Sequence, residues 1–110
     1  MRNLFQLRVG LSKLRHHKKR HNFLDTPSDQ CLCKSGIEDC DHFFLIFPFY
    51  DTLRTVLQTK VNEILFKNGI NLVLTSEIYL YGHQPLSVND NHDLLLATLE
   101  FIVKSNRFAN

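Results

Sequence analysis

Residues 49–66 carry the clearest pattern of the chain, because apolar residues recur there every three or four positions, the spacing of one buried face of an α-helix. The apolar positions are Phe49, Leu53, Val56, Leu57, Val61, Ile64 and Leu65. The polar residues between them, Asp51, Arg54, Gln58, Lys60, Asn62 and Glu63, fall mostly on the other faces. The pattern predicts an amphipathic helix that ends in the turn-forming residues 68–71.

A second amphipathic helix is predicted near the C-terminus, beginning at Asn91 or Asp93. Its apolar face would hold Leu94, Leu95, Thr98, Phe101, Ile102 and Ser105. Lys104 and Arg107 fall in the last turn, where the helix dipole favours cations. The two periodic segments together favour a mainly α fold.

Weaker patterns complete the helical interpretation. Leu4, Leu7, Val9, Leu11 and Leu14 form a loose helical repeat that Gly10 can break, which predicts one helix or two short ones. Residues 25–30 form a turn-rich loop and residues 38–47 a short helix that Pro48 ends or restarts. The apolar run 72–82 fits a helix or a strand, and we favour a helix. We therefore predict a small, mainly α-helical domain with a short Cys-x-Cys turn resembling a zinc knuckle.

The composition fits one domain over residues 1–110, since a chain of 110 residues supports a single modest core. We divide it into a basic helical segment (1–24), a Cys/His segment (25–50) and C-terminal helices (51–110). No apolar run is long enough for a membrane span, and the N-terminus lacks the features of a secretory signal. Cys31 and Cys33 are too close for a relaxed disulfide. We therefore expect an intracellular protein, in the nucleus or cytoplasm, with no membrane partner.

Positive charge is concentrated in the head of the chain. Seven of the thirteen Lys and Arg residues precede the first acid, Asp25, while the other six share the remainder with all eleven acids. Such a block suits the phosphate backbone of RNA or DNA, since each contact releases a counterion. The candidate phosphate contacts are Arg15, Lys18, Lys19 and Arg20. A solvated helix face or a frayed tail would also explain the charge.

The three cysteines and a nearby histidine suggest a zinc site with an incomplete ligand set. Zinc prefers four nitrogen or sulfur ligands in a tetrahedron. Cys31, Cys33 and His42 supply three, and residue 47, which would complete the set, is phenylalanine. A fourth ligand would have to be Cys40 or one of His16, His17 and His21. In a helix, however, Cys40 and His42 point to opposite faces. Without zinc, the cysteines would be loop or half-buried thiols and His42 a polar residue near a helix start.

Residues 7–50 resemble the zinc-binding segment near the C-terminus of reverse transcriptases encoded by non-LTR retrotransposons. That family's pattern is Leu-Arg-x-Gly, a basic stretch, Cys-x-Cys, an acidic turn, His-Phe-Leu and Cys-Pro. The run from Leu7 to Gly10 fits Leu-Arg-x-Gly, and Cys31 and Cys33 fit Cys-x-Cys. The run from His42 to Leu45 fits His-Phe-Leu, and Pro48 fits the proline of Cys-Pro. The segment from Ile78 to Gly82 and the closing Ser105 to Phe108 also resemble the family's final residues.

The resemblance implies zinc ligands at Cys31, Cys33 and His42, with the family's last cysteine replaced by Phe47. It also implies a module that binds RNA or DNA non-specifically. If this chain is a fragment of a reverse transcriptase polyprotein, the remainder of that polyprotein would be a second partner. No nucleophile is paired with a base, and His83 and His92 fit surface loops or caps, so we expect no catalysis.

Two alternatives remain. One is a decayed, metal-free helical remnant with a core of Phe43, Phe44, Leu53, Leu57, Ile64, Leu95, Phe101 and Ile102, which Phe47 would enlarge. The other is a protein-interaction module that uses exposed Phe and Leu side chains.

Overall fold

The structure, a computed structural model, describes residues 2–10, 12–20, 28–34 and 36–108. These residues form helices α1 (Arg2–Val9), α2 (Arg15–Arg20), α3 (Asp51–Lys67), α4 (Ser76–Tyr81) and α5 (Val88–Ser105). A π-helical turn (His42–Ile46) and a 3-10 turn (Pro48–Tyr50) lead into α3. Over the described part of the chain, strand pairing is limited to one isolated bridge, Gln30 with Ile37. The mainly α prediction is confirmed.

The core lies between α3 and α5, which pack along each other, while α4 and α1 cover its far side. The buried face of α5 consists of Leu94, Ala97, Thr98, Phe101, Ile102 and Ser105. The Ser87 side chain caps this helix by accepting the Asp90 N–H at 3.1 Å. Asn106, in the left-handed region at φ 55°, ends it. The predicted second helix is therefore confirmed, with a start slightly earlier in the chain.

Aromatic side chains join the Cys/His segment to this core. The ring centroid of Phe43 lies 5.0 Å from that of Phe44, 5.5 Å from Tyr50, and 5.2 Å from both Phe101 and Phe108. Phe43, Phe44, Leu57, Phe101 and Ile102 are buried, and Leu53, Ile64 and Leu95 are partly buried against them, as predicted. The turn that carries His42 is thus anchored by its own phenylalanines.

The head of the chain forms two short helices rather than one. Gly10 ends α1 with φ +75°, a left-handed conformation that a side chain would strain. Leu4, Leu7 and Leu14 are buried, whereas Val9 is exposed. Leu11 and much of the predicted loop at 25–30 lie outside the described residues.

Four details of the pattern are corrected by the structure. Arg54, expected on an outer face, is only 5% exposed, whereas Phe49 and Val56, expected on the apolar face, are 74% and 42% exposed. Phe49 turns outward because it lies in the 3-10 turn before α3, so the α-helical spacing does not reach it. Residues 72–75 form no regular secondary structure, and α4 begins only after Thr75, whose Oγ1 accepts the Ile78 N–H at 3.4 Å.

No helix among the described residues has the length and apolar character needed to cross a membrane. His83 is partly exposed in the loop before α5, and His92 is exposed on that helix.

Candidate metal centre and basic cleft

A tight turn brings the two neighbouring cysteines to one side of the chain. The Cys31 N–H donates to the Gly36 carbonyl at 2.7 Å, and the Lys34 N–H donates to the Cys31 carbonyl at 2.9 Å. Lys34 takes a left-handed conformation, φ 64°, which closes the turn. Cys31 is buried by this fold and Cys33 is half-buried. The predicted Cys-x-Cys turn is therefore present.

His42 reaches the same place from a π-helical turn. Asp39 Oδ1 accepts the His42 N–H at 2.8 Å, and the Phe47 N–H donates to the His42 carbonyl at 2.8 Å. The second bond spans five residues rather than the four of an α-helix, so residue 47 lies over residue 42. A regular α-helix would instead rotate residue 47 well away from His42.

The three predicted ligands meet at one point. Ligand atoms of Cys31, Cys33 and His42 all lie within 4.8 Å of one another, and Cys33 Sγ is 3.1 Å from His42 Nε2. In a tetrahedral zinc site the ligand atoms lie about 3.5 to 3.8 Å apart, given bond lengths of about 2.1 Å to nitrogen and 2.3 Å to sulfur. The group can therefore hold a metal ion once the ligand atoms adjust their separations by up to about 1 Å.

Phe47 occupies the position from which a fourth ligand would be expected. Its side chain is only 3% exposed, and its ring centroid lies 5.6 Å from that of His42. Its other neighbours are Tyr50 at 4.9 Å and Phe49 at 5.1 Å, again between ring centroids. The ring carries no lone pair for a metal, so the described group provides three ligands.

Cys40 points away from this group. Its Sγ lies 3.8 Å from the Leu7 carbonyl oxygen and 3.9 Å from His17 Nε2, while the other ring nitrogen of His17 lies 2.6 Å from Ser12 Oγ. Burial raises the pKa of Cys40 to about 11, with the Asp39 charge adding to the effect. A protonated thiol facing helix α1 does not complete the three-ligand group.

The other histidines considered as fourth ligands also lie elsewhere or outside the described residues. His16 Nδ1 is 3.6 Å from Asp29 Oδ2, and His17 is held by Ser12. His21 is not among the described residues.

The thiol of Cys31 is poorly ionised in the metal-free fold. Burial, with smaller contributions from the Cys33 thiol and the Glu38 carboxylate, raises its pKa to about 11. A metal would have to displace this proton, so its apparent affinity should increase with pH.

A cleft of about 420 Å³ adjoins the cysteine turn. Four cations line it: Lys13, Arg15, Lys18 and Arg107. Of the predicted phosphate contacts, Arg15 and Lys18 therefore lie in one cleft. Lys19 is exposed outside it, and Arg20 donates to the Gly10 carbonyl at 3.1 Å. The structure thus groups two of the four and adds Lys13 and Arg107.

Glu38 fixes the cation-bearing edge of this cleft. It is 2% exposed and accepts the Arg15 N–H at 2.7 Å and Arg107 Nε at 2.8 Å, while its own carbonyl accepts the His16 N–H at 2.9 Å. Arg107 also donates to the Lys13 carbonyl at 3.0 Å. The head, the cysteine turn and the end of α5 are therefore joined at one buried ion pair, which also balances the Glu38 charge.

Arg54 fixes the π-helical turn from the other side. Its guanidinium donates to the carbonyls of Phe44 at 2.8 Å, Phe47 at 2.8 Å and Phe43 at 3.3 Å, and it pairs with Asp51 Oδ1 at 2.6 Å. These carbonyls lie in the π-helical turn and directly after it, and the Arg54 guanidinium donates to all three.

Comparisons with protein-family models, curated proteins and solved structures gave no match to this chain.

Proposed function

We propose that the protein is a non-catalytic nucleic-acid-binding module, derived from the tail of a non-LTR retrotransposon reverse transcriptase, in which one zinc ion stabilises the cysteine turn. The cations of the cleft would contact phosphates. The ligands of the zinc would be Cys31, Cys33 and His42. The resemblance of residues 7–50 to that family's zinc-binding segment supports the origin.

The observation that carries this proposal is the convergence of four cations on one cleft beside the Cys/His group. Arg107 pairs with Glu38, and Lys13, Arg15 and Lys18 line the same cleft. Like charges gathered around a concave surface raise the local concentration of a polyanion. Phosphate contacts require only such charge and carry no base sequence information, so we expect non-specific binding.

Salt dependence tests the phosphate contacts. Three contacts predict a slope of log K against log salt of about −2 for a single strand, or a roughly 20-fold loss of affinity between about 50 and about 200 mM salt. The Lys18→Gln variant should reduce the slope by about 0.7. Lys104→Gln, which removes the same charge from an exposed position on α5, should leave it unchanged. Millimolar affinity at low salt, or equal slopes for the two variants, would contradict the proposal.

A separate experiment tests zinc binding by the Cys/His group, with protein purified without a histidine tag. Elemental analysis should find close to one zinc per chain, and a strong chelator should lower the free energy of unfolding. Cys33→Ser should remove the metal, whereas Cys40→Ser, the same substitution outside the three-ligand group, should retain it.

The buried ring of Phe47 favours one competing interpretation, a metal-free remnant that folds on its aromatic side chains alone. In that case the chelator would change neither the metal content nor the stability of the protein.

A further inference from the structure

The basic cleft has an aromatic wall facing solvent. Phe49 and Tyr50 line the cleft together with Phe47. Phe49 leaves 74% of its surface exposed, although its ring rests 5.1 Å from that of the buried Phe47. The cleft therefore presents a flat apolar ring, which packs against Phe47, beside a group of cations.

The backbone beneath this wall is held in place. Pro48 begins the 3-10 turn with a fixed φ, and the Tyr50 N–H donates to the Phe47 carbonyl at 3.2 Å. The buried Arg54 donates to the same carbonyl at 2.8 Å. An exposed ring on a fixed backbone loses little conformational freedom when a ligand packs on it, which favours binding.

The residues that line the cleft also include an unsatisfied donor. Arg15 Nε is shielded from solvent and has no acceptor among the described residues. A buried donor without an acceptor is costly, and an anionic oxygen would satisfy it. The cleft therefore offers both a surface for a flat ring and a donor for an anion.

We propose that the cleft binds single-stranded nucleic acid, with one base stacked on Phe49 and the adjoining phosphates on Lys13, Arg15 and Lys18. This inference rests on the proposed function and specifies its ligand. A nucleotide combines the two features that the cleft can recognise, an aromatic face and a negative charge. In a duplex the faces of the bases are covered by their neighbours, whereas a single strand can turn a base onto an aromatic side chain.

Fluorescence anisotropy with a labelled single strand tests this inference in the full chain. Loss of one stacked base by Phe49→Ala should weaken binding about 5- to 150-fold. Phe49→Tyr, which keeps the ring, should restore it. Phe66→Ala serves as the matched control, because Phe66 is 85% exposed on α3 and does not line this cleft.

An abasic strand of the same length separates stacking from charge, since it keeps the phosphates and lacks the bases. The wild type should bind it about as weakly as the Phe49→Ala variant binds the normal strand, and that variant should not distinguish the two strands. The salt slope of Phe49→Ala should remain that of the wild type, because no phosphate contact is lost.

The outcomes distinguish the two proposals. If normal, abasic and duplex probes bind the wild type equally, and Phe49→Ala has no effect, the stacking inference is wrong while phosphate binding stands. A poly-glutamate peptide that binds as tightly as the single strand would also overturn it, because the cleft would then accept any polyanion. If no nucleic acid binds at low salt, the proposed function itself is wrong.

Discussion

Replacing Phe47 with cysteine tests whether residue 47 faces the candidate metal centre. The π-helical turn directs this residue toward His42, with a main-chain hydrogen bond of 2.8 Å and ring centroids 5.6 Å apart. A thiol at this position would approach the ion from the side that the phenyl ring now fills. We therefore expect Phe47→Cys to convert a three-ligand group into a four-ligand zinc site.

The expected magnitude follows from the ligand number and from the buried ring. A structural zinc contributes about 10 to 16 kcal/mol at neutral pH, or roughly 2.5 to 4 kcal/mol for each of four ligands. One added thiolate should therefore tighten zinc binding about 60- to 700-fold. Removing the buried ring should cost the metal-free protein about 3 kcal/mol. The variant should be less stable than wild type without zinc and gain more stability when zinc is added.

Competition against a chromophoric chelator measures the zinc affinity, and the absorption of the cobalt(II) form reports how many thiolates are bound. Phe47→Ser is the matched control, because serine has nearly the size of cysteine but is a poor zinc ligand. Equal zinc affinities for the Cys and Ser variants, or an unchanged cobalt spectrum, would show that residue 47 does not face the ion. The geometric reasoning from the π-helical turn would then be wrong.

Three further predictions concern stability measured by urea denaturation under reducing conditions. Arg54→Met should lower the free energy of unfolding by about 3 kcal/mol or more, because three carbonyls lose their bond to the buried guanidinium; a change under about 1 kcal/mol would refute its capping role. Glu38→Gln should cost about 2 to 3 kcal/mol by leaving the partly exposed Arg107 without its counter-charge, and an unchanged midpoint would argue against that ion pair. Metal-free wild type should lose stability as pH rises from about 9 to about 11, because burial raises the pKa of Cys40 from 9.0 to about 11 and the unfolded chain ionises first. Cys40→Ala should flatten this decline, and parallel pH profiles would contradict the assignment.

The parts of the fold that depend on one repeating face were predictable from sequence. Helices α3 and α5 follow from apolar residues at spacings of three and four, and Gly10 marks the break between α1 and α2. The outward position of Phe49 was not predictable in this way, because a 3-10 turn changes the residues per turn. The burial of Arg54 was missed for another reason: its partners are main-chain carbonyls, which leave no signal in the pattern of side chains.

The candidate site, like the fold, was predictable from sequence only in part. Spacing and the resemblance to the reverse-transcriptase segment together predict Cys31, Cys33 and His42 as ligands and residue 47 as the missing fourth, and the structure brings the three ligands together. The cleft was not predictable, because it depends on Arg107, which meets Glu38 across 69 positions of sequence. The sequence marks Arg107 only as a cation at a helix end. No local pattern distinguishes Glu38, the acid that becomes buried, from the neighbouring acids.

The position of residue 47 is set by main-chain bonds rather than by its own side chain. Its N–H donates to His42, and its carbonyl accepts from Tyr50 and Arg54. A side chain at this position can therefore change from metal ligand to aromatic ring without moving the backbone that supports Phe49. The stability of the cysteine turn should depend on which side chain is present, whereas Phe49 and Tyr50 should keep their places in the cleft with either. On this reasoning the metal and the stacking surface are separable, and chelation should weaken single-strand binding less than Phe49→Ala does.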